Sequence, residues 1–154
     1  MIRKANKEDI NALNELLYQV HKVHSGVRPD LFKSGEKKYN DEELLVILND
    51  DTKPIFVYEE NNIILGYAFC AIIDHKNDHS LVSYKSLYID DLCVNSSTRG
   101  KGIGKQLYEY VLDFAKSIGC YNVTLNVWGC NDSALKFYEK IGMHIQKIGM
   151  EKIL

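Results

Sequence analysis

The sequence predicts an α/β fold in which an antiparallel first half leads into a parallel pair of strands. Three features of the chain indicate this. Residues 55–73 have the pattern of a β-hairpin, because β-branched and aromatic runs flank Glu60-Asn61-Asn62, whose residue types tolerate a positive φ. Apolar residues three and four apart predict an amphipathic helix over 103–118. The strands at 81–94 and 121–127 that this helix joins are therefore expected to be parallel neighbours.

The part of the chain before the hairpin predicts one short strand and two helices. A strand is expected over 1–5, and Asn6 then caps a helix, with Asp9 three residues later as its capping-box partner. Helical spacing of apolar residues continues to about residue 23, and a loop without periodicity follows. Asn40 begins the second helix. The apolar face of that helix consists of Leu44, Ile47 and Leu48.

After the parallel pair the sequence predicts a last helix and a final strand region. Asn131-Asp132-Ser133 has the residue types of a helix cap, and Gly142 ends the helix. Residues 143–154 are expected to form one bent strand or a strand pair. The length fits a single domain spanning 1–154, and no repeat or linker interrupts it.

Composition argues against several classes of protein. The chain has 154 residues, of which 45% are hydrophobic and 26% charged, and its net charge of −2 is unlike that of a dedicated nucleic-acid binder. No apolar run approaches the ~20 residues of a membrane span, and the N-terminus lacks the apolar core of a signal peptide. The four cysteines form no C-x-x-C pair, so we expect free thiols in a cytoplasmic protein. No metal site is expected, because His21 and His24 have no third ligand.

Charge is distributed unevenly along the chain. Residues 41–91 contain three basic and eleven acidic residues, whereas residues 92–154 contain eight basic and five acidic ones. An acidic middle beside a basic C-terminal third suits a cationic substrate and an anionic cofactor. A solvated surface with chance asymmetry would produce the same pattern, so both interpretations stay open.

A glycine-rich stretch from Arg99 to Lys105 lies between the second long strand and the helix that follows it. Glycines at positions 100, 102 and 104 let the backbone turn tightly and approach a ligand closely. The amides of this loop and of the helix N-terminus form an anion site, to which Arg99, Lys101 and Lys105 add positive charge. A pyrophosphate fits this site, and turn chemistry alone is the alternative explanation of the glycines.

Two common phosphate-binding motifs do not match this loop. A P-loop requires G-x-x-x-x-G-K-[ST], but Gln106 follows Gly104-Lys105, and Arg99 stands where the first glycine belongs. A dinucleotide fingerprint requires G-x-G-x-x-G, but Lys105 or Leu107 occupies the third glycine position. The pattern that remains is Arg99-x-x-Gly102-x-Gly104.

This pattern resembles motif A of the GNAT superfamily of acyl-CoA-dependent N-acetyltransferases, R/Q-x-x-G-x-G/A. Residues 87–94 are similar to the family's fourth strand. Residues 131–143 are similar to its motif B, N-x-x-A-x-x-F-Y-x-x-x-G-F, with Met143 in place of the usual aromatic residue. The resemblance implies a GNAT-like mixed sheet with an antiparallel N-terminal half, a parallel pair splayed into a V, and about four flanking helices.

The resemblance also implies that acetyl-CoA is the co-substrate and that it lies in the V without a metal. Its pantetheine would pair with the first strand of the V, and its pyrophosphate would lie on the glycine loop. The expected contacts are Leu92, Cys93, Val94, Arg99, Gly100, Lys101, Gly102, Ile103, Gly104, Lys105, Asn131, Ala134, Phe137 and Tyr138.

The family's reaction is direct attack of a neutral amine on the thioester, and a carboxylate can take the ammonium proton, directly or through water. Asp90 and Asp91 interrupt an otherwise apolar strand, and strand alternation predicts that they face opposite sides of the sheet. Similarity to polyamine acetyltransferases favours Asp90 as the base, with Asp91 as the second candidate. The alternative is a strand-end carboxylate that caps loop amides or pairs with a lysine.

By the same resemblance Tyr138 matches the general acid that protonates the leaving thiolate, although a core tyrosine has the same helical spacing. The Val94 N–H is a candidate oxyanion donor. Cys93 is expected to pack beside the pantetheine rather than act as a nucleophile, since no histidine is paired with it. Trp128 is expected in the core or the cleft wall.

The sequence therefore predicts an acetyl-CoA-dependent N-acetyltransferase that acts on a primary amine of a small molecule or peptide. The alternative is a non-catalytic acetyl-CoA-binding or sensing module with the same fold. No nucleic acid or membrane partner is expected. Dimers are frequent among proteins that the chain resembles, so a homodimer is included among the expectations.

Overall fold

The computed structural model describes all residues from Met1 to Leu154. Five strands form one sheet in the order β1-β2-β3-β4-β5. Neighbouring strands from β1 to β4 are antiparallel, and β5 is parallel to β4, which confirms the predicted mixed sheet. The elements are β1 (Ile2–Lys4), α1 (Ile10–Val27), α2 (Asp41–Leu48), β2 (Ile55–Glu60), β3 (Ile63–Asp74), β4 (Lys85–Val94), α3 (Ile103–Ser117), β5 (Asn122–Leu125) and α4 (Asp132–Lys140).

The first two helices begin as the sequence predicts. Asn6 and Asp9 form a complete capping box, although the first turn, Lys7–Asp9, is a 3₁₀ helix. Asn40 forms a second capping box, with Glu43. Helix α1 ends at Val27 rather than near residue 23, because its last turn lines an apolar recess with Phe32 and Trp128, and such a tertiary contact has no local signature.

Helices cover both faces of the sheet. On one face, Leu13, Leu16 and Leu17 of α1 pack with α2 against Val57, Tyr67 and Phe69. On the other face, α3 packs Tyr108, Val111 and Ala115 against Phe56, Ala68 and Leu87. These two apolar layers set the orientation of every side chain on β3 and β4, since alternate residues of a strand point to opposite faces. None of the helices combines the length and the apolar composition that a membrane span requires.

Strands β4 and β5 separate partway along their length. They pair only from Ser86 with Asn122 to Ile89 with Leu125, whereas β4 continues to Val94. The last residues of β4 therefore have no strand partner on the side that faces β5, and this opening is the predicted V. β4 begins at Lys85 rather than at residue 81, and β5 has four residues instead of the expected seven.

The C-terminal segment, residues 143–154, contradicts the prediction of a final strand. None of these residues belongs to a strand or helix. From His144 onward no backbone group hydrogen bonds to another backbone group of the chain. No partner strand lies beside this segment within the chain.

Gly66 provides a test of the β3–β4 packing. A Cβ at this position would lie 2.9 Å from the Cys93 carbonyl oxygen and 3.1 Å from Leu107 Cδ1. We expect Gly66→Ala to lower the free energy of unfolding by about 1–3 kcal/mol in urea denaturation. The matched control is Gly26→Ala in α1, where nothing lies within 4 Å of the added carbon. At that position the higher helix propensity of alanine should raise the free energy of unfolding by about 0.5–1 kcal/mol. Equal effects of the two substitutions would contradict the close packing of β4 and α3 around Gly66.

Candidate active site

A β-bulge in β4 organises the acidic end of the V. Cys70 pairs with Ile89 and Phe69 pairs with Asp91, so Asp90 is an extra residue on β4 without a partner on β3. Such an insertion shifts the alternation of side chains for the rest of the strand. Before the bulge, Leu87 and Ile89 face α3, and after it Cys93 faces α1.

The bulge overturns the expectation that Asp90 and Asp91 face opposite sides of the sheet. Asp90 accepts a hydrogen bond from Tyr39, and Asp91 accepts one from Tyr67. Both tyrosines belong to the apolar layer beneath α1 and α2. The two carboxylates therefore lie on the same face, because the extra residue cancels one step of the strand's two-residue period.

Both carboxylate oxygens of Asp90 have partners. Tyr39 Oη lies 2.5 Å from Oδ2, and Lys38 Nζ lies 2.9 Å from Oδ1. The Lys38 side chain is 43% exposed and that of Asp90 is 25% exposed, so this ion pair borders solvent and contributes little to stability. Asp90 also lines an open cleft together with Tyr39, Phe69 and Tyr88. An ammonium group can reach the carboxylate from this cleft by displacing Lys38.

Asp91 lies deeper than Asp90. Its Oδ2 accepts a 2.7 Å hydrogen bond from Tyr67, whose hydroxyl is fully buried in the layer beneath α1. Burial raises the pKa of Asp91 above its ordinary value, and the charge of Asp90 adds to this, whereas the Tyr67 hydrogen bond opposes it. The raised pKa makes Asp91 a stronger base than an ordinary aspartate, and Asp90 is the more accessible of the two carboxylates.

The glycine loop has the geometry of an anion cradle. Gly100 and Gly102 have φ values of 85° and 76°, in the left-handed region that favours glycine. No backbone amide from Arg99 to Lys105 donates a hydrogen bond to an acceptor within the chain, and Gly102 caps α3 without a side-chain bond. These free amides surround the positive end of a 15-residue helix, which is the arrangement that binds phosphate groups.

Gly104 joins the three elements of the predicted site. A Cβ on this residue would lie 3.4 Å from Phe137 Cζ on α4 and 3.5 Å from Val94 Cγ2 on β4. The first turn of α3 therefore approaches both the end of β4 and the motif-B helix. Asn131 caps that helix, accepting a hydrogen bond from the Ala134 amide.

Tyr138 lies on the side of α4 that faces α3, with its ring 6.5 Å from that of Tyr108. Its hydroxyl has no hydrogen-bond partner within the chain. Burial raises the pKa of Tyr138 well above its ordinary value, and the negative charge of Asp91 raises it further. The hydroxyl therefore keeps its proton at neutral pH and is free to donate it.

The remaining predicted residues have structural contacts. The Cys93 thiol is buried, with Sγ 3.7 Å from the Leu16 carbonyl oxygen, and burial raises its pKa to about 12. A thiol in that state is not a nucleophile at neutral pH. The rings of His21 and His24 contact Phe32, and Phe32 in turn contacts Trp128. Trp128 thus lies in the wall of the apolar recess beside the end of β5.

Sequence reasoning missed the partners of the two carboxylates. Lys38 and Tyr39 lie in a loop with no periodicity, so nothing local indicated that they reach Asp90, which is 52 and 51 positions away in the sequence, respectively. Tyr67 offered a weak signal, since it is a polar tip within an otherwise apolar strand. The bulge that brings these groups together is a property of strand pairing.

Residues 18–143 of this chain match the Acetyltransferase (GNAT) family. Among curated relatives, glucosamine 6-phosphate N-acetyltransferase of Arabidopsis thaliana is 43% identical over 68 residues, which are 44% of each protein. A probable glucosamine 6-phosphate N-acetyltransferase of Drosophila melanogaster is 30% identical over 73% of this chain and 45% of its own length. The chain spans about half the length of the curated relatives it matches.

Solved structures agree with the fold over the whole chain. A mutant of the BH1408 protein from Bacillus halodurans is 30% identical, with a TM-score of 0.95 and coverage of 100% of this chain and 99% of its own. The glucosamine-6-phosphate N-acetyltransferase of Arabidopsis thaliana is 30% identical, with a TM-score of 0.72 and coverage of 99% and 97%.

The raised pKa of Asp91 makes stability depend on pH. A carboxyl whose pKa is higher in the folded state stabilises the fold below its unfolded pKa, 3.8, and this contribution is lost as pH rises through the folded value. We expect Asp91→Asn to gain stability relative to the wild type between pH 4 and pH 7, by about 1.4 kcal/mol per unit of pKa difference. Urea denaturation of both proteins across this range measures the gain.

The control for this prediction is Asp113→Asn, at an exposed position of α3 that pairs only with Lys116. Its stability should stay within about 0.5 kcal/mol of the wild type, because an exposed ion pair contributes little. A stability difference between Asp91→Asn and the wild type that stays constant across the range would show that Asp91 titrates as it does in the unfolded chain.

Proposed function

The chain belongs to the acetyltransferase (GNAT) family, and from that premise we propose that it is an N-acetyltransferase that moves the acetyl group of acetyl-CoA directly to a primary amine of a small molecule or peptide. The observation that supports this most is the combination of free amides at residues 99–105 with the acidic bulge at the other end of the open edge of β4. One element binds an anionic donor, and the other receives a cationic acceptor. We assign this activity to one domain over 1–154.

Acetyl-CoA would occupy the V between β4 and β5 as co-substrate. The pyrophosphate fits the free amides from Arg99 to Lys105, where the helix dipole and three basic side chains favour negative charge. The unpaired edge of β4 at Leu92, Cys93 and Val94 suits an extended pantetheine arm, since it offers backbone groups without a strand partner. Asn131, Ala134 and Phe137 would line the other side.

Asp90 is the proposed base. It borders the open cleft, and Lys38 already places an ammonium group 2.9 Å from its Oδ1. An acceptor ammonium that replaces Lys38 would lie within reach of the same oxygen and could pass its proton there, directly or through a water. Asp91 remains the second candidate, and its buried charge on the same face adds to the attraction for a cation.

Tyr138 is the proposed acid. Thioester cleavage leaves a thiolate that needs a proton, and the Tyr138 hydroxyl is protonated at neutral pH and bonded to no other group of the chain. Its helix meets the first turn of α3 through Phe137 and Gly104, which holds it against the donor site. The Val94 N–H stays the predicted oxyanion donor.

The cleft beside Asp90 indicates the class of acceptor. Two aromatic rings, Tyr39 and Tyr88, flank the carboxylate, and such walls hold the apolar body and the cationic head of an amine. Relatives named for glucosamine 6-phosphate make amino sugars one class to test. Polyamines, aminoglycosides and lysine peptides are the others that the acidic middle of the sequence favours.

A coupled assay for release of free CoA over this amine panel tests the proposed function. We expect turnover with at least one cationic amine. Tyr138→Phe should lower kcat by about 10²-fold or more, because it removes the hydroxyl that carries the only acidic proton of that side chain, and KM for acetyl-CoA should change little. Asp90→Asn should lower kcat with the same amine and shift the pH dependence of kcat.

The matched control is Tyr110→Phe, which removes a hydroxyl from an exposed tyrosine of α3 and should keep wild-type kcat. Near-wild-type turnover of a folded Tyr138→Phe protein would exclude Tyr138 as the acid. Tight acetyl-CoA binding without turnover on any amine would refute the catalytic proposal and favour the alternative, an acetyl-CoA-binding or sensing module.

Arg99 and Lys116 give a second matched pair, at opposite ends of α3. Arg99→Gln should weaken acetyl-CoA binding about tenfold in isothermal titration, because it removes a charge beside the free amides, and the loss should shrink at high salt. Lys116→Gln removes a charge that is 77% exposed at the far end and should leave the dissociation constant unchanged. Equal effects of the two variants would place the pyrophosphate elsewhere.

A further inference from the structure

The Lys38 ammonium group occupies the position that an acceptor amine would take. Its Nζ lies 2.9 Å from Asp90 Oδ1 and 5.6 Å from the centre of the Tyr39 ring. A primary amine within hydrogen-bond distance of the carboxylate, beside an aromatic wall, is the arrangement proposed for the acceptor. The chain therefore carries a primary amine of its own at its proposed base.

The loop that carries Lys38 is held on both sides of this residue. The Tyr39 ring stacks on Phe69 of β3, with ring centroids 5.6 Å apart. On the other side, Lys37 Nζ donates a 3.1 Å hydrogen bond to Asp41 of α2. A reactive group that the fold holds in place reacts as in a unimolecular step, at an effective concentration far above that of a free acceptor.

The proposed donor site begins at the same point of β4. Strand β5 pairs with β4 only as far as Ile89, so the open edge starts at Asp90. In acetyl-CoA the sulfur lies at the opposite end of the pantetheine arm from the pyrophosphate. A pyrophosphate on the glycine loop and an arm along residues 92–94 therefore direct the thioester towards Asp90 and the amine beside it.

We propose that Lys38 is a modification site that the chain acetylates itself, within one molecule, from acetyl-CoA. This inference rests on the proposed function, because it uses the same donor, base and acid. Lys38 is a primary amine of the class proposed as acceptor, and it differs from an external acceptor only in being part of the chain.

The reaction at Lys38 balances with the groups already assigned. Asp90 takes one proton from the ammonium group, and the neutral Nζ attacks the thioester carbonyl carbon. A C–N bond forms, the C–S bond breaks, and the departing thiolate takes the Tyr138 proton. The nitrogen loses its second proton as the amide forms, and this proton restores the Tyr138 hydroxyl through solvent. The products are N-acetyl-lysine at position 38 and free CoA.

Acetylation removes the positive charge of the Lys38 side chain. An amide cannot form the ion pair that holds Asp90 Oδ1, so this oxygen loses its cationic partner within the chain. The unmodified and modified proteins therefore differ in the charge beside the base, at the place where an external ammonium group would bind.

Mass spectrometry of the full chain, incubated with acetyl-CoA and no added amine, tests the proposal. We expect a gain of one acetyl group at Lys38, at least about tenfold faster than at Lys116, which is 77% exposed. Chemical acetylation in solution would favour the more exposed amine, because the Lys38 side chain is only 43% exposed. Excess free CoA, which competes for the donor site, should stop the reaction at Lys38 and leave the slow reaction at Lys116 unchanged.

Asp90→Asn and Asp113→Asn form a matched pair, because each carboxylate has one lysine as its ion-pair partner, Lys38 and Lys116 respectively. Asp90→Asn should slow acetylation of Lys38 by about 10²-fold, whereas Asp113→Asn should leave the rates at both lysines unchanged. If Asp90→Asn does not fold, competition by free CoA on the wild type decides the same question. A first-order rate constant that is equal from about 1 to about 50 µM protein shows that the reaction stays within one molecule.

The outcomes separate this proposal from the proposed function. Turnover of an external amine without an acetyl group at Lys38 would overturn self-acetylation and leave the proposed function standing. Equal rates at Lys38 and Lys116, insensitive to free CoA, would mean chemical acetylation only and would also overturn it. A rate constant that rises in proportion to protein concentration would exclude reaction within one molecule. Binding of acetyl-CoA with neither a modified Lys38 nor turnover of any amine would refute both proposals.

Discussion

The extra residue in β4 is the constraint on which the site depends. Asp90 has no partner on β3, and this single inserted residue reverses the sheet face on which each following side chain of β4 lies. As a result Asp91 and Cys93 face α1, and Leu92 and Val94 face α3. Without the bulge, the second carboxylate would lie against the apolar side chains of α3, where its charge would have no hydrogen-bond donor. Tyr67 supplies that donor on the face to which the bulge turns it.

The same stretch of β4 connects the acidic group with the anion cradle. β5 stops pairing at Ile89, one residue before the bulge, and β4 runs on alone to Val94. From there the chain turns through Gly100 and Gly102 into α3, whose second residue is a glycine in close approach to Val94 and Phe137. The carboxylates and the free amides thus lie at opposite ends of one open strand edge. Such an arrangement suits the proposed anionic donor along the strand and the proposed cationic acceptor at its start.

The need of backbone groups for hydrogen-bond partners applies to the C-terminal segment as well as to the V. Backbone polar groups and apolar side chains require partners. At the V, a co-substrate can supply the partners that the β4 backbone lacks. The outer edge of β5 and the backbone from His144 onward lie outside the V, and no other backbone of the chain pairs with them. The open edge of β4 at the V is therefore the part of the sheet that suits the proposed co-substrate.

Local patterns in the sequence were sufficient for the helix starts and for the geometry of the glycine loop. Helix caps at Asn6, Asn40 and Asn131 act within four residues, and the glycines of the loop act through their own φ angles, so these features need no distant contact. Tertiary structure alone decided which face Asp91 occupies, because a bulge is defined by two strands in register. It also decided that Lys38 and Tyr39 reach Asp90, and that residues 143–154 find no partner strand within the chain. An alternating pattern states that a segment can pair, whereas its partner is chosen by the packing of the whole molecule.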